Sequence, residues 1–230
     1  MRLNRAKFSN SDYIITEFPR PQLRRIPNAP IAATEYETPE FKSLTDQMIS
    51  IMYEADGVGL AAPQIGLNKL LFVYNPSGSD PASKNMQRIV CNPTITKYSP
   101  EIDIEEEGCL SLRSDDCAGN VARSSWIQVE YQNEEGYMTR RRLSGFEARV
   151  FQHEYDHLQG ILCWDRFSPE DREKVRANID KLLGLYPEPD AATDPDETIF
   201  KSIQPPPTFL TAGRMPPLEK EEDEEPTFES

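Results

Sequence analysis

Histidine is nearly absent: His153 and His157 are the only two among 230 residues. Chemistry needing imidazoles at several separate sites is thereby excluded. Cysteine is sparse as well. Cys91, Cys109, Cys117 and Cys163 are too few and too irregularly placed for the disulfide framework of a secreted domain, so reduced thiols are expected. No stretch approaches the roughly 18 consecutive apolar residues of a membrane-crossing helix, and no apolar signal-type run stands near the first residues. Internal repeats are missing too, which excludes a solenoid. The expectation is a soluble, intracellular protein that does not engage a membrane.

The net charge of −14 is unevenly spread. From Pro187 to Ser230 there are 12 acidic and 3 basic residues, whereas residues 1 to 186 carry 27 and 22. The body is close to ordinary and the acidity belongs to the end. That end also holds nine of the 20 prolines and an acidic run from Glu219 to Glu225. Such a composition buries too little apolar area to offset its ordering entropy. Three parts are expected: a basic extension over 1–12, a single folded domain over 13–186, and a disordered Pro-rich acidic tail over 187–230. The tail does not suit a nucleic-acid polyanion, so no direct DNA binding is expected, and any contact with ribosomal RNA must come from elsewhere.

Capping signals place the helices. Thr38-Pro39-Glu40 supplies a hydroxyl cap, a proline at the first helical position and an acid in the first turn. Phe41, Leu44, Met48 and Met52 form the apolar stripe of that helix, which Asp56-Gly57 ends. Residues Gly57 to Gly66 read as a small-residue loop. Leu70–Tyr74 and Arg88–Cys91 read as strands, each closed by Asn-Pro. Alternation over 126–131, a turn at Gly136 and a return over 137–143 read as a hairpin. Ser144-Gly145-Phe146-Glu147 reads as a capping box opening a second helix that Gly160 closes. A short strand over 161–164 follows, then a last helix capped at Ser168 with Val175, Ile179 and Leu182 facing inward. The expected class is α+β, with antiparallel strands surrounding a central helix, plus a C-terminal helix.

That central helix carries His153-Glu154-Tyr155-Asp156-His157. Residues four apart share a helix face, so both imidazoles can reach one metal ion, and Glu154 can act beside it without being a ligand. Spacing alone leaves the third ligand open. His153-x3-His157-x2-Gly160-x2-Cys163 offers Cys163, a downstream carboxylate such as Glu173 would suit a zinc endopeptidase, and Cys109 in Glu107-Gly108-Cys109-Leu110-Ser111 is an upstream thiol that could equally be a small buried apolar residue. Gly57-Val58-Gly59-Leu60-Ala61-Ala62 contains a Gly-x-Gly-x-x-Ala pattern. It follows a helix rather than a strand, and Pro63 and Gly66 oppose a new helix, so dinucleotide binding is not expected. Its glycines instead allow backbone to approach a ligand, with Gln64 as a polar tip. A metal-stabilised binding module without turnover is the reading from another class.

Taken together, Gly57-Val58-Gly59-Leu60-Ala61-Ala62-Pro63-Gln64, Glu107-Gly108-Cys109-Leu110-Ser111 and Gln152-His153-Glu154-Tyr155-Asp156-His157-Leu158-Gln159-Gly160 resemble, in order, the three signature motifs of type I-like peptide deformylases. Phe18-Pro19-Arg20-Pro21-Gln22-Leu23-Arg24 is similar to that family's N-terminal pattern, and the resemblance spans roughly 13 to 183. It departs after Ser111, where Leu112-Arg113 leads into Ser114-Asp115-Asp116-Cys117. The resemblance implies removal of the formyl group from the N-terminal formyl-methionine of newly made polypeptides, releasing formate. It implies that Cys109, His153 and His157 hold one divalent metal, Fe2+ physiologically with Zn2+ or Ni2+ also accommodated. Glu154 would be the acid/base, and the Gln64 side-chain amide and the Leu110 backbone N–H would hold the oxyanion. Gly59 would lend backbone to the peptide, while Phe146 and Val150, on the stripe of the histidines, would line the methionine pocket with Val58. Arg123 and Glu107 look like an ion pair bracing the cysteine loop. The partners implied are formylated nascent chains, near the ribosomal exit, in bacterial-type cytoplasm or a plastid or mitochondrion.

Overall fold

The computed structural model describes residues 11–78, 85–112 and 117–185. The expected disordered tail, most of the basic extension and Arg113 to Asp116 of the unusual loop lie outside the described residues. No helix among those described is long and apolar enough to cross a membrane.

Helix α1 (Pro39–Glu54) starts as its cap dictates: Thr38 Oγ1 accepts from the Phe41 N–H at 3.2 Å. Its buried face is Phe41, Leu44, Met48, Ile51 and Met52. The left-handed residue at its end is Asp56 (φ 56°), and the Gly57 N–H closes back onto the Met52 carbonyl at 2.8 Å. The stretch expected as a loop is more ordered than that. Gly59–Ala61 is a short strand, β1, and Ala62–Ile65 is a single 3-10 turn ended by Gly66. Pro63 fits the first turn, where its missing N–H is no loss, and the left-handed Gly66 (φ 81°) ends it there.

β2 (Leu71–Tyr74) and β3 (Arg88–Tyr98) continue an antiparallel sheet in which β6 (Trp126–Gln132) and β7 (Met138–Ser144) complete the order β1-β2-β3-β6-β7. The expectation that Asn92-Pro93 ends the third strand is overturned. Asn92 adopts φ 52°, which asparagine tolerates, and its amide replaces the missing ladder bonds. Oδ1 accepts from Ile31 N–H (2.8 Å), and Nδ2 donates to the Ile31 carbonyl (2.9 Å) and to Gln132 Oε1 (2.7 Å). The strand therefore bulges and runs on.

A second, two-stranded sheet went unpredicted: β4 (Ile102–Glu107) pairs antiparallel with β5 (Gly119–Ser124). Helix α2 (Gly145–Leu158) lies between this ribbon and the large sheet. Phe151 packs on Phe72 with ring centroids 5.0 Å apart and also meets Tyr74 and Tyr131. Burying such a ring contributes about 1.5–3 kcal/mol. On the ribbon side, Gln152 mimics a strand partner, its Oε1 accepting from Ser124 N–H and its Nε2 donating to the Ser124 carbonyl.

The expected capping box at Ser144 does not form. Ser144 ends β7, Gly145 takes φ 56°, and Glu147 accepts from Arg141 (2.9 Å) and the Tyr74 hydroxyl (3.0 Å) instead of reaching back. Gly160 (φ 69°) does close the helix, and a Cβ there would press on the Arg24 carbonyl at 3.0 Å. The strand expected over 161–164 is instead a 3-10 turn, Cys163–Arg166, because the Asp165 carboxylate folds back to accept from the Leu162 N–H at 2.8 Å.

Helix α3 (Pro169–Leu185) is capped as expected and docks on β5. Ser168 Oγ accepts from Asp171 N–H at 3.0 Å, and Asp171 Oδ2 accepts from Ser168 and from the Asn120 backbone and side-chain amides. Lys174, then the Asn120 and Ser168 hydrogen bonds, hold this carboxyl well below the usual carboxylate range. Asp171→Asn is expected to destabilise the protein by about 1 kcal/mol at neutral pH. A lowered folded-state value stabilises only above the unfolded value, here 3.8, so the gap between parent and variant in urea denaturation should close as pH falls below it.

Candidate metal centre

Helical spacing puts His153 and His157 on one side of α2, with ring centroids 5.2 Å apart. Cys109 arrives from the turn after β4, its Sγ 3.4 Å from His157 Nε2. One donor atom from each of the three lies within 4.8 Å of the others. Among the described residues no other such group of three forms. Glu173 instead pairs with Arg176 on the exposed face of α3, and Cys163 is buried and not among the converging donors.

The donors fit a divalent ion. His153 Nδ1 donates to Glu107 Oε2 at 3.0 Å, which leaves its Nε2 lone pair for the centre. The Cys109 thiol is pulled well below its ordinary value, first by a hydrogen bond with Cys163 and then by the His157 charge, against the opposing effect of burial. A thiolate and two imidazoles suit zinc or ferrous iron.

Glu154, 4% exposed, turns toward Gly59. Its Oε2 has no hydrogen-bond partner among the described residues, and burial pushes its carboxyl up to about 7. A Cβ on Gly59 would overlap that carboxylate, so any larger residue there must displace it. Gln64 is held by its own backbone neighbour: its Oε1 accepts from Ala61 N–H at 2.8 Å. Its Nε2 then faces Cys109 Sγ (3.6 Å) and Ser111 Oγ (3.3 Å). Cys109, His153, Glu154, Glu107, Gly59 and Gln64 line a cleft of about 720 Å³, together with Leu110, Val58, Phe146 and Val150. Val150 is buried and Phe146 is half exposed at the rim.

Beneath the cleft lies a buried ion network that is larger than the expected Glu107–Arg123 pair. Arg123 donates to both Glu107 oxygens (2.9 and 2.8 Å), and Arg149 donates to Glu107 Oε1 at 2.7 Å. Arg123 also bonds Asp156, which Arg166 clamps from the far side. Burial alone would raise the Glu107 carboxyl, but the Arg123 and His153 interactions hold it well below the ordinary range. Arg149, Asp156 and Arg166 were not foreseen. Arg149 and Asp156 fall four before and three after His153, so the helix period could have placed them beside it.

A profile of the polypeptide deformylase family matches residues 13–173. The chain belongs to the polypeptide deformylase family. That family comprises metal-dependent hydrolases. Among its members, the rice peptide deformylase 1B, chloroplastic, is 41% identical over 155 residues, covering 67% of this chain and 56% of the relative. A Thermotoga peptide deformylase is 43% identical over 138 residues, 60% of this chain and 79% of the relative. The chain thus spans less than two thirds of the plant deformylases' length. Among solved structures, Arabidopsis thaliana deformylase 1B superposes with a TM-score of 0.69 at 35% identity, covering 77% of this chain and 97% of that one. The Plasmodium falciparum deformylase gives 0.69 at 34%, covering 75% and 96%. The α+β deformylase fold is therefore that of this chain.

Glu107 is the group whose loss should be felt most widely. Glu107→Ala leaves two buried guanidinium groups without their shared partner and should cost about 3–5 kcal/mol in chemical denaturation, whereas an exposed control such as Glu130→Ala should cost under about 1 kcal/mol.

Proposed function

We propose that this chain hydrolyses the formyl amide at the N-terminus of newly made polypeptides, with Cys109, His153 and His157 as metal ligands and Glu154 as the acid/base. The observation that supports this most is the pairing of three convergent donors with a buried carboxylate whose Oε2 has no hydrogen-bond partner among the described residues. A divalent ion held there would polarise the formyl oxygen and make water nucleophilic near neutral pH. We take Fe2+ as the resident ion, as the family resemblance implies, with Zn2+ and Ni2+ able to replace it in a site of two imidazoles and a thiolate.

The residues then divide the work. Glu154 takes the proton from the attacking water and hands one to the departing amine, a role suited to a carboxyl poised near 7. The Gln64 amide, fixed by Ala61, and the Leu110 N–H hold the charge that develops on the formyl oxygen, and such donors are worth about 3–4 kcal/mol each in the barrier. β1 is a sheet edge, so the Gly59 backbone can pair with an extended peptide. Val58, Val150 and Phe146 offer an apolar recess for a thioether side chain. The folded catalytic domain covers 13–186, and formylated nascent chains near the ribosome are its substrates. The plant relatives are named chloroplastic or chloroplastic/mitochondrial, which supports a plastid or mitochondrial site of action.

Formate release from formyl-Met-Ala-Ser by the Fe2+- or Ni2+-loaded protein tests this. Glu154→Ala should keep full metal content and lose at least about 10²-fold in kcat; no formate above background from the loaded parent would refute the reading. Cys109→Ala should lose the metal, and full occupancy after that change would favour the endopeptidase alternative. Gly59→Ala, which displaces the Glu154 carboxylate, should lower kcat/KM by about 10²-fold with metal content unchanged.

A further inference from the structure

The segment that leads into the N-terminal pattern at Phe18 touches both turns bearing Gln64 and Leu110. The Thr16 N–H donates to the Gln64 carbonyl at 2.6 Å, and two residues on the Phe18 N–H donates to the Ser111 carbonyl at 2.8 Å. Gln64 stands in the turn after β1, a strand of the large sheet. Ser111 follows Leu110 in the turn after β4, a strand of the ribbon. Resting on the reading of Gln64 and Leu110 as oxyanion donors, we propose that residues 15–18 form a strap that sets the separation of those donors. Thr16 and Phe18 are its positioning residues, acting through their backbone N–H groups.

The reach of the chain turns these two bonds into a constraint. Two successive residues span at most about 7 Å, so N–H groups two apart cannot follow carbonyls that drift beyond that. The contacts Gln64 makes across the gap with its own side chain are longer, 3.3 Å to Ser111 Oγ and 3.6 Å to Cys109 Sγ. They also use the same Nε2 that is to meet the substrate oxygen. Thr16 and Phe18 are buried, and a buried backbone N–H without its partner is costly, so the two bonds resist stretching.

The strap is itself anchored at both ends. Upstream, Gln47 of α1 accepts from the Asp12 N–H at 2.8 Å and from the Ser11 hydroxyl at 3.2 Å. Downstream, Arg24 donates to the Gly160 carbonyl at 2.9 Å and to Asp165 Oδ1 at 3.0 Å. Between them, Ile15 packs on the core cluster that holds Ile65. Phe18 lies in the cluster that holds Leu112 and meets Trp164 edge-on, with centroids 5.8 Å apart. Each turn is thus gripped by a backbone bond and by an apolar neighbour of the same short segment. A donor misplaced by about 1 Å loses much of its effect on the barrier, so slack in the strap acts on kcat more than on peptide binding.

The test uses the full chain loaded with Ni2+, as parent, Thr16→Pro, Thr16→Val, Gln64→Ala and the double variant of Thr16→Pro with Gln64→Ala. Proline deletes the N–H that holds the Gln64 carbonyl. Thr16→Pro should keep its metal and lower kcat on formyl-Met-Ala-Ser about tenfold with KM unchanged. It should also speed hydrogen exchange about tenfold at the Ala61 amide, which Gln64 Oε1 holds. Thr16→Val, which restores the N–H, should recover both. In the Gln64→Ala background the proline should cost under about twofold, because the group it positions is gone. If Thr16→Pro folds poorly, a glycine inserted after Glu17 slackens the strap and carries the comparison. Parental kcat in the folded and loaded strap variant, an equal loss with and without Gln64, or parental exchange at Ala61 overturns the proposal. Gln64→Ala at parental kcat, or no formate from the loaded parent, overturns the oxyanion reading and this inference with it.

Discussion

The Glu107 carboxylate is the interaction on which the rest of the centre depends. It ends β4, receives Arg123 from β5 on both oxygens, receives Arg149 from α2, and still accepts from His153. One acid therefore joins the ribbon to the helix and fixes the orientation of an imidazole. Buried ion pairs seldom add net stability over apolar groups of equal volume. Their use here is in register. A one-residue slip of β4 would turn Glu107 to the other face and carry Cys109 away from His157.

The same constraint explains why a polar helix can occupy the middle of the molecule. α2 buries Arg149, Gln152, Glu154, Asp156 and His157, which would be prohibitive if each were desolvated alone. Arg149, Asp156 and Arg166 balance one another across the network, and Gln152 pairs with the backbone of Ser124. Glu154 is the exception. Its unpartnered oxygen at the cleft carries a desolvation cost that the fold does not relieve, and such a cost is characteristic of a carboxyl kept for proton transfer. Gly59 makes that position accessible by having no side chain.

Local rules read well wherever local forces decide. Thr38 and Ser168 cap their helices, Gly160 ends α2, and alternation marks the β6–β7 hairpin. They fail where distant partners intervene. Ser144 reads as a cap, but Tyr74 and Arg141 claim Glu147. Asn92-Pro93 reads as a stop, but Ile31 and Gln132 satisfy Asn92 and the strand continues. β4 escaped notice because nearly every residue on it is exposed, Ile102 and Ile104 included, so its alternation reports no core face. In the centre, Cys109, His153, Glu154 and His157 were legible because metal chemistry dictates residue type. Arg149, Asp156 and Arg166 were not, since charged residues on a helix or turn usually mean a solvated face.

Cys163 shows how spacing and geometry differ as evidence. The line His153-x3-His157-x2-Gly160-x2-Cys163 has the spacing of an extended zinc-protease motif, which needs the chain after the glycine to swing back beneath the metal. Here Asp165 curls that segment into a 3-10 turn and Arg24 and Arg172 bind it down, and Cys163 is not among the converging donors. Cys109 then enters from a separate sheet across the cleft. A ligand brought by the ribbon would tie the metal to β4 and β5, not to the helix alone; Leu110 follows in the same turn, and Gln64 reaches the Cys109 sulfur from the turn after β1. Cys109, Gln64 and Leu110 thus face Glu154 of the helix across one cleft, and the proposed reaction would hold its small formyl group between them.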